Sequence, residues 1–184
     1  ANPAATDNTW NYTALDQAAI KGHANTLKML IKAKGRLSLD RVSGNNRTAL
    51  GRAARKGYHQ VVHQLLEGGA SSGKRDYYGY PPLHYAAEQG HVNIIGQLLN
   101  YGANPAAVVV IKLNQTALDR AAINGHVNAT KLLIQAKGRL PLDRITLGKT
   151  ALGWAASRGH KGVVGALIEA GANLSIGSPS PIGL

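Results

Sequence analysis

Seven histidines, nine carboxylates and no cysteine bound the chemistry open to this chain of 184 residues. Without cysteine there is no thiol nucleophile, no thiolate zinc site and no disulfide framework. His59 and His63 stand four apart, the spacing of a two-histidine metal clip on one helix face. They lack an intervening Glu and an evident acidic partner, so a solvated face is expected. His23, His91, His126 and His160 each follow a Gly, and a position that recurs is explained by recurring structure: a hydrogen bond at a turn or helix start. The carboxylates also come in copies, Asp16 with Asp119 and Asp40 with Asp143, so no singular acid–base pair emerges. Asp40-Arg41 and Asp143-Arg144 read as loop charge pairs. The glycines are dispersed rather than gathered into a phosphate-cradling loop, and no Ser sits in a nucleophile elbow. The expectation is a chain with no catalytic residues, no metal and no cofactor.

The elements that carry these residues follow from repetition. Thr-Ala-Leu occurs at Thr13, Thr48, Thr116 and Thr150, and Pro-Pro-Leu occupies the same slot from Pro81. Each start leads to an Ala pair (Ala18-Ala19, Ala53-Ala54, Ala86-Ala87, Ala121-Ala122, Ala155-Ala156), then to Gly followed by His or Tyr. An apolar pair and a closing Gly (Gly35, Gly69, Gly102, Gly138, Gly171) complete the unit. The Thr predicts an N-cap, the Ala pair a short helix packed closely on its neighbours, and the Gly a left-handed stop. A second amphipathic helix then runs to the closing Gly. The polar stretch between units suits a projecting hairpin. One such pair of helices cannot bury its own apolar stripe, whereas a stack can. Thin Ala-rich layers also account for the absence of Phe and for an aromatic content of only 5%.

A longer period overlies the short one. Residues 13–41 match residues 116–144 at 21 of 29 positions, and units two and five share Thr-Ala-Leu-Gly. This indicates duplication of a three-unit block. Units one and four carry an extra residue before the closing Gly, so curvature is expected to vary with the same period.

These units resemble the ankyrin repeat. Unit three carries the resemblance most fully, through Asp76, Gly79, Pro82-Leu83-His84, Ala86-Ala87, Gly90-His91, Leu98-Leu99 and Gly102-Ala103-Asn104. The likeness runs from about Thr9 to Leu174. The other units carry Ala for the Pro and Asp or Gly for the His, departures expected to cost a local hydrogen-bond partner. Unit two has Asn46 in place of the hairpin Gly, a residue that tolerates positive φ. The resemblance implies an all-α, ankyrin-type helix–turn–helix solenoid with projecting hairpin fingers. The expected organisation is a lead-in and first hairpin over 1–12, five repeats over 13–174 and a Gly/Ser/Pro tail over 175–184.

The resemblance further implies that hairpin tips and first helices line a concave partner-binding face. By register, this face comprises Trp10 and Tyr12 of unit one and Arg47, Arg52, Arg55 and Lys56 of unit two. Unit three supplies Tyr77, Tyr78, Tyr80, Tyr85, Glu88 and Gln89, unit four Lys112 and Arg120, and unit five Trp154 and Arg158. Tyr, Trp and Arg dominate interface energetics, and here the scarce aromatics gather on that one face. The net charge of +12 is uneven. Residues 81–115 are neutral, while 1–47, 48–80 and 116–149 are strongly basic. Some of that excess (Lys32, Lys34, Lys137) suits helix C-termini. The leading expectation is a monomeric, non-catalytic protein-interaction module for an acidic or mixed acidic–aromatic segment. The alternatives are binding of a polyanion such as nucleic acid or anionic lipid headgroups, or service as an adaptor segment of a larger scaffold or effector. By family analogy the setting is intracellular. No apolar stretch is long enough for a transmembrane helix.

Overall fold

A computed structural model describes residues 6, 11–33, 38–44, 46–109, 114–136 and 140–175. Trp10, Asn45, Lys112, the glycines at 35 and 138, Lys34, Lys137 and positions 176–184 of the tail lie outside the described residues.

Among the described residues, ten helices pair into five helix–turn–helix units: α1 (Ala14–Lys21) with α2 (Ala24–Lys32), α3 (Ala49–Lys56) with α4 (His59–Glu67), and α5 (Pro82–Gln89) with α6 (Val92–Asn100). They continue as α7 (Ala117–Ile123) with α8 (Val127–Ile134), and α9 (Ala151–Ser157) with α10 (Lys161–Glu169). The odd-numbered helices stack into one layer and the even-numbered into a second. Each short first helix is fixed at both ends by sequence. The hydroxyls of Thr13, Thr48, Thr116 and Thr150 accept the backbone N–H three residues on, and Pro81-Pro82 starts α5 with no side-chain cap. Gly22, Gly57 and Gly90 end α1, α3 and α5 at φ between 71° and 81°.

The Ala pairs of units one to four lie between the layers, where Ala19, Ala53, Ala54, Ala86, Ala87, Ala121 and Ala122 are fully buried; in unit five Ala155 is buried and Ala156 exposed. Second helices complete the core with Leu27, Leu65, Ile94, Ile95, Leu98, Leu133 and Leu167. The extra residue of units one and four does not lengthen α2 or α8: α2 spans 9 residues, as do α4, α6 and α10, and α8 spans 8.

Hairpin fingers join the units. In the second, β1 (Val42–Ser43) pairs antiparallel with β2 (Arg47–Thr48). Single bridges Thr6–Thr13, Val109–Gln115 and Thr146–Lys149 mark the first, fourth and fifth. Two residues before each Thr or first Pro the backbone turns left-handed, at Asn11, Asn46, Gly79, Asn114 and Gly148. Asn46, at φ 63°, occupies the turn that glycine fills in unit three. Adjacent fingers are laced together: the Tyr77 N–H donates to Asn46 O at 3.1 Å, and Arg75 to Val108 O at 2.9 Å.

Candidate partner-binding face

The slot after each first helix is a clamp between units. Nε2 of His91, His126 and His160 lies 3.3, 2.9 and 3.0 Å from the carbonyls of Arg55, Glu88 and Ile123 in the preceding unit. Each ring lies over the preceding unit's Gly, and Tyr58 does the same over Gly22. None of these side chains caps its own helix start, so the expected bond exists but runs between units. His84 likewise reaches forward, its Nε2 at 3.0 Å from Gln115 O.

Asp16 and Asp119, which stand where unit three has His84, do not forfeit a local partner. Each closes a capping box: the Thr13 N–H and hydroxyl donate to Asp16 at 2.9 Å, and those of Thr116 to Asp119 at 2.8 and 2.9 Å. A Thr followed three residues later by Asp was the available signal. Asp40 and Asp143 also differ from the expected loop pairing with their Arg neighbours. They accept the N–H groups of Ser71 and Asn173 in the next unit, at 2.9 and 2.7 Å, and Arg144 donates to Asn114 O. His59 and His63 are exposed, and His63 does have an acidic neighbour, Glu67 at 3.4 Å. No group of three or more metal-ligating residues occurs among the described residues.

The first helices and finger bases bring most of the expected face together. Arg47, Arg55, Tyr78, Tyr80, Tyr85, Glu88 and Arg120 line one open depression of about 400 Å³. Tyr12, Arg47, Arg52, Arg55 and Lys56, with Ile20 as its apolar wall, line an adjoining pocket of about 110 Å³. Arg47 and Arg55 form the wall between the two. Tyr77 is 72% exposed and packs edge-on to Tyr78, ring centres 5.7 Å apart. Gln89 is exposed beside the half-buried Glu88. Trp154 and Arg158 lie in the last repeat: Lys149 Nζ stands 4.9 Å from the Trp154 ring, and Arg158 is exposed.

Two residues expected on the face lie deep in its floor. Arg52 is 5% exposed. It pairs with Asp16 at 3.3 Å and donates to Ser43, and its guanidinium lies 4.9 Å from the Tyr12 ring centre. Burial lowers its pKa, with Asp16 opposing that shift. Tyr85, also 5% exposed, donates its hydroxyl to Asp76 at 2.6 Å and accepts from Arg47 Nε at 3.0 Å. Burial, followed by the bond to Asp76, raises the phenol's pKa. Both are positioning groups: a register that faces a side chain toward the concave side does not fix how deeply the next unit covers it. Asp76, absent from the expected set, organises unit three by also accepting the N–H groups of Tyr78 and Tyr80, both at 2.9 Å.

Electrostatically the face is graded. Arg120 is neutralised by Glu88 at 3.4 Å and held by Tyr80, its Nη2 donating to the phenol at 2.6 Å. Arg55 and Lys56 are exposed and form no ion pair among the described residues. The first unit pair therefore presents uncompensated cations beside the tyrosines of the third.

Among known proteins, the profile described as "Ankyrin repeats (3 copies)" matches residues 15–109 and 107–177. The E3 ubiquitin-protein ligase XBAT33 of Arabidopsis thaliana is 32% identical over 131 residues, 71% of this chain and 25% of that protein. The probable 26S proteasome regulatory subunit p28 of Saccharomyces cerevisiae is 30% identical over 132 residues, 72% of this chain and 57% of that protein. The ankyrin repeat and KH domain-containing protein mask of Drosophila melanogaster is 37% identical over 93 residues, half of this chain and 2% of that protein. The chain thus spans about a quarter of the length of the plant relative. With five stacked units, left-handed finger turns and that match along most of its length, the chain belongs to the ankyrin repeat family of protein–protein interaction modules.

Proposed function

We propose that the concave face of units one to four docks an acidic protein segment carrying at least one aromatic residue, without catalysis. The observation that supports this most is the exposed, uncompensated Arg55 on the rim of the tyrosine-lined depression, with Lys56 beside it in the adjoining pocket. Preorganised arginines held by phenols and buried carboxylates lose little conformational freedom on binding, which favours recognition of carboxylates. The relatives carry the matched region within longer proteins, which supports an adaptor role; a monomer in an intracellular setting is proposed by family analogy alone.

A second reading, polyanion binding, draws on the net charge of +12. It predicts a steep fall of oligonucleotide affinity with salt. The neutral third unit interrupts the positive track such a ligand would follow. Peptides selected from an acidic, tyrosine-containing library decide between them. Selected peptides should lose at least tenfold in affinity on Arg55→Glu and on Tyr78→Ala, with helical circular dichroism unchanged. Undiminished binding by both variants refutes this face, and tighter binding of an oligonucleotide than of every peptide favours the second reading.

A further inference from the structure

The small pocket beside the tyrosine depression has a built-in comparison elsewhere in the same chain. Duplication places Gln115 where the first copy has Tyr12, Ile123 for Ile20, Lys149 for Arg47 and Trp154 for Arg52. Ser157 stands for Arg55 and Arg158 for Lys56. The second copy stacks α7 on α9 as the first stacks α1 on α3. Stacking therefore does not require all four cations: the second copy keeps Lys149 and Arg158 but has Trp154 and Ser157 in place of Arg52 and Arg55. The denser cluster belongs to the first copy, where Asp16 offsets one of its four charges.

The cations are also arranged for a ligand. Arg52 is anchored from behind by Asp16 and Ser43. Arg47 is held through Nε by the Tyr85 hydroxyl, with its guanidinium 5.2 Å from that ring's centre, and its terminal amino groups make no hydrogen bond among the described residues. Arg55 and Lys56 close the remaining sides. Ile20 and the Tyr12 ring give apolar walls, which strengthen any charge interaction between them. A single carboxylate would leave most of this charge unmatched. A phosphate monoester brings close to two negative charges and three acceptor oxygens, the count that converging arginines satisfy.

We infer that the pocket lined by Tyr12, Ile20, Arg47, Arg52, Arg55 and Lys56 is a phosphate-monoester subsite, and that it takes a phosphorylated serine or threonine of the docked segment. This rests on the concave-face reading and names the chemistry at one end of it. A phosphorylated protein fits better than a nucleic acid because the site is one enclosure of about 110 Å³ rather than a track. Its neighbour adds Glu88 and tyrosines where a phosphodiester chain would need further cations.

The test uses three short glutamate-rich peptides, each with one tyrosine, that differ at one position as phosphoserine, serine or glutamate. Titration against the whole chain should show the phosphoserine peptide binding at least tenfold tighter than the serine peptide and several-fold tighter than the glutamate one. Arg55→Ser, which introduces the residue the second copy already carries, should abolish that preference and leave the thermal midpoint unchanged. Equal binding of the three peptides overturns the phosphate subsite while leaving acidic-segment docking intact. A preference that survives Arg55→Ser places the phosphate elsewhere and also overturns it. Binding of none of the peptides overturns both readings, and displacement of the phosphopeptide by an equimolar single-stranded oligonucleotide assigns the pocket to nucleic acid instead.

Discussion

His84 shows how a single side chain couples this stack to pH. It is 1% exposed, and since Nε2 faces the Gln115 carbonyl at 3.0 Å it must donate, leaving the buried Nδ1 with no partner. Protonation would bury a charge that the backbone of Gln115 and Ala107 offsets only in part. Burial accordingly lowers the imidazole pKa to about 4, with Arg120 and Arg75 adding repulsion. The sign follows from linkage: between the unfolded value of 6.5 and the folded value of about 4 the unfolded chain binds more protons, so stability falls as pH falls through that window. The full loss is on the order of 3 kcal/mol. Urea unfolding of the wild type should show it between pH 7 and 4, and an imidazole resonance of His84 titrating near 6.5 would contradict it. That His84 is structural was legible from its place in the unit. That its partner lies in the next finger was not, because Gln115 is 31 residues away and nothing in the intervening chain marks it. The same limit applies to Arg52, whose type suggested a contact residue while its depth was decided by Asp16, 36 residues earlier.

At the scale of the helix pair, stability lies in the clamp between a left-handed Gly and the ring of the following unit. Gly125 sits at φ 77°, and a β-carbon there would stand 2.8 Å from Nδ1 of His160. Gly159 has a similar φ of 73° with no atom within 4 Å of the same position. Substituting Ala for either imposes the left-handed penalty of about 1–2 kcal/mol. Gly125→Ala must in addition push His160 off the Ile123 carbonyl. Chemical denaturation should find Gly125→Ala the more destabilising of the two by about 1 kcal/mol or more, and equal losses would show that the ring contact contributes nothing. Helix starts and stops were readable because Thr, Ala-Ala and Gly each act through their own backbone. The five left-handed finger turns were only partly so: Asn46 was recognisable as a Gly substitute, while Leu147 at φ 52° beside Gly148 was not signalled by residue type.

Across the whole molecule, charge and aromatic side chains are sorted by unit. The period of 33–35 residues made the stack legible, since five registered copies constrain the architecture however any one side chain turns. The gathering of tyrosines on unit three was equally visible. The division of the face into a neutralised half, where Arg120 meets Glu88, and an uncompensated half at Arg55 and Lys56 was not, because it depends on which cation each sparse carboxylate reaches. Under the proposed function, that division would make docking directional, with acidic groups over units one and two and an aromatic group over unit three. The most direct measurement is the mapping of backbone amide shifts in the isotope-labelled chain on titration with a selected acidic, tyrosine-containing peptide. The account predicts the largest shifts at Arg47, Arg55, Tyr78, Tyr80 and Glu88, weakening as salt is raised. Shifts centred instead on the second helices, at His59, His63 and Gln97, would contradict it.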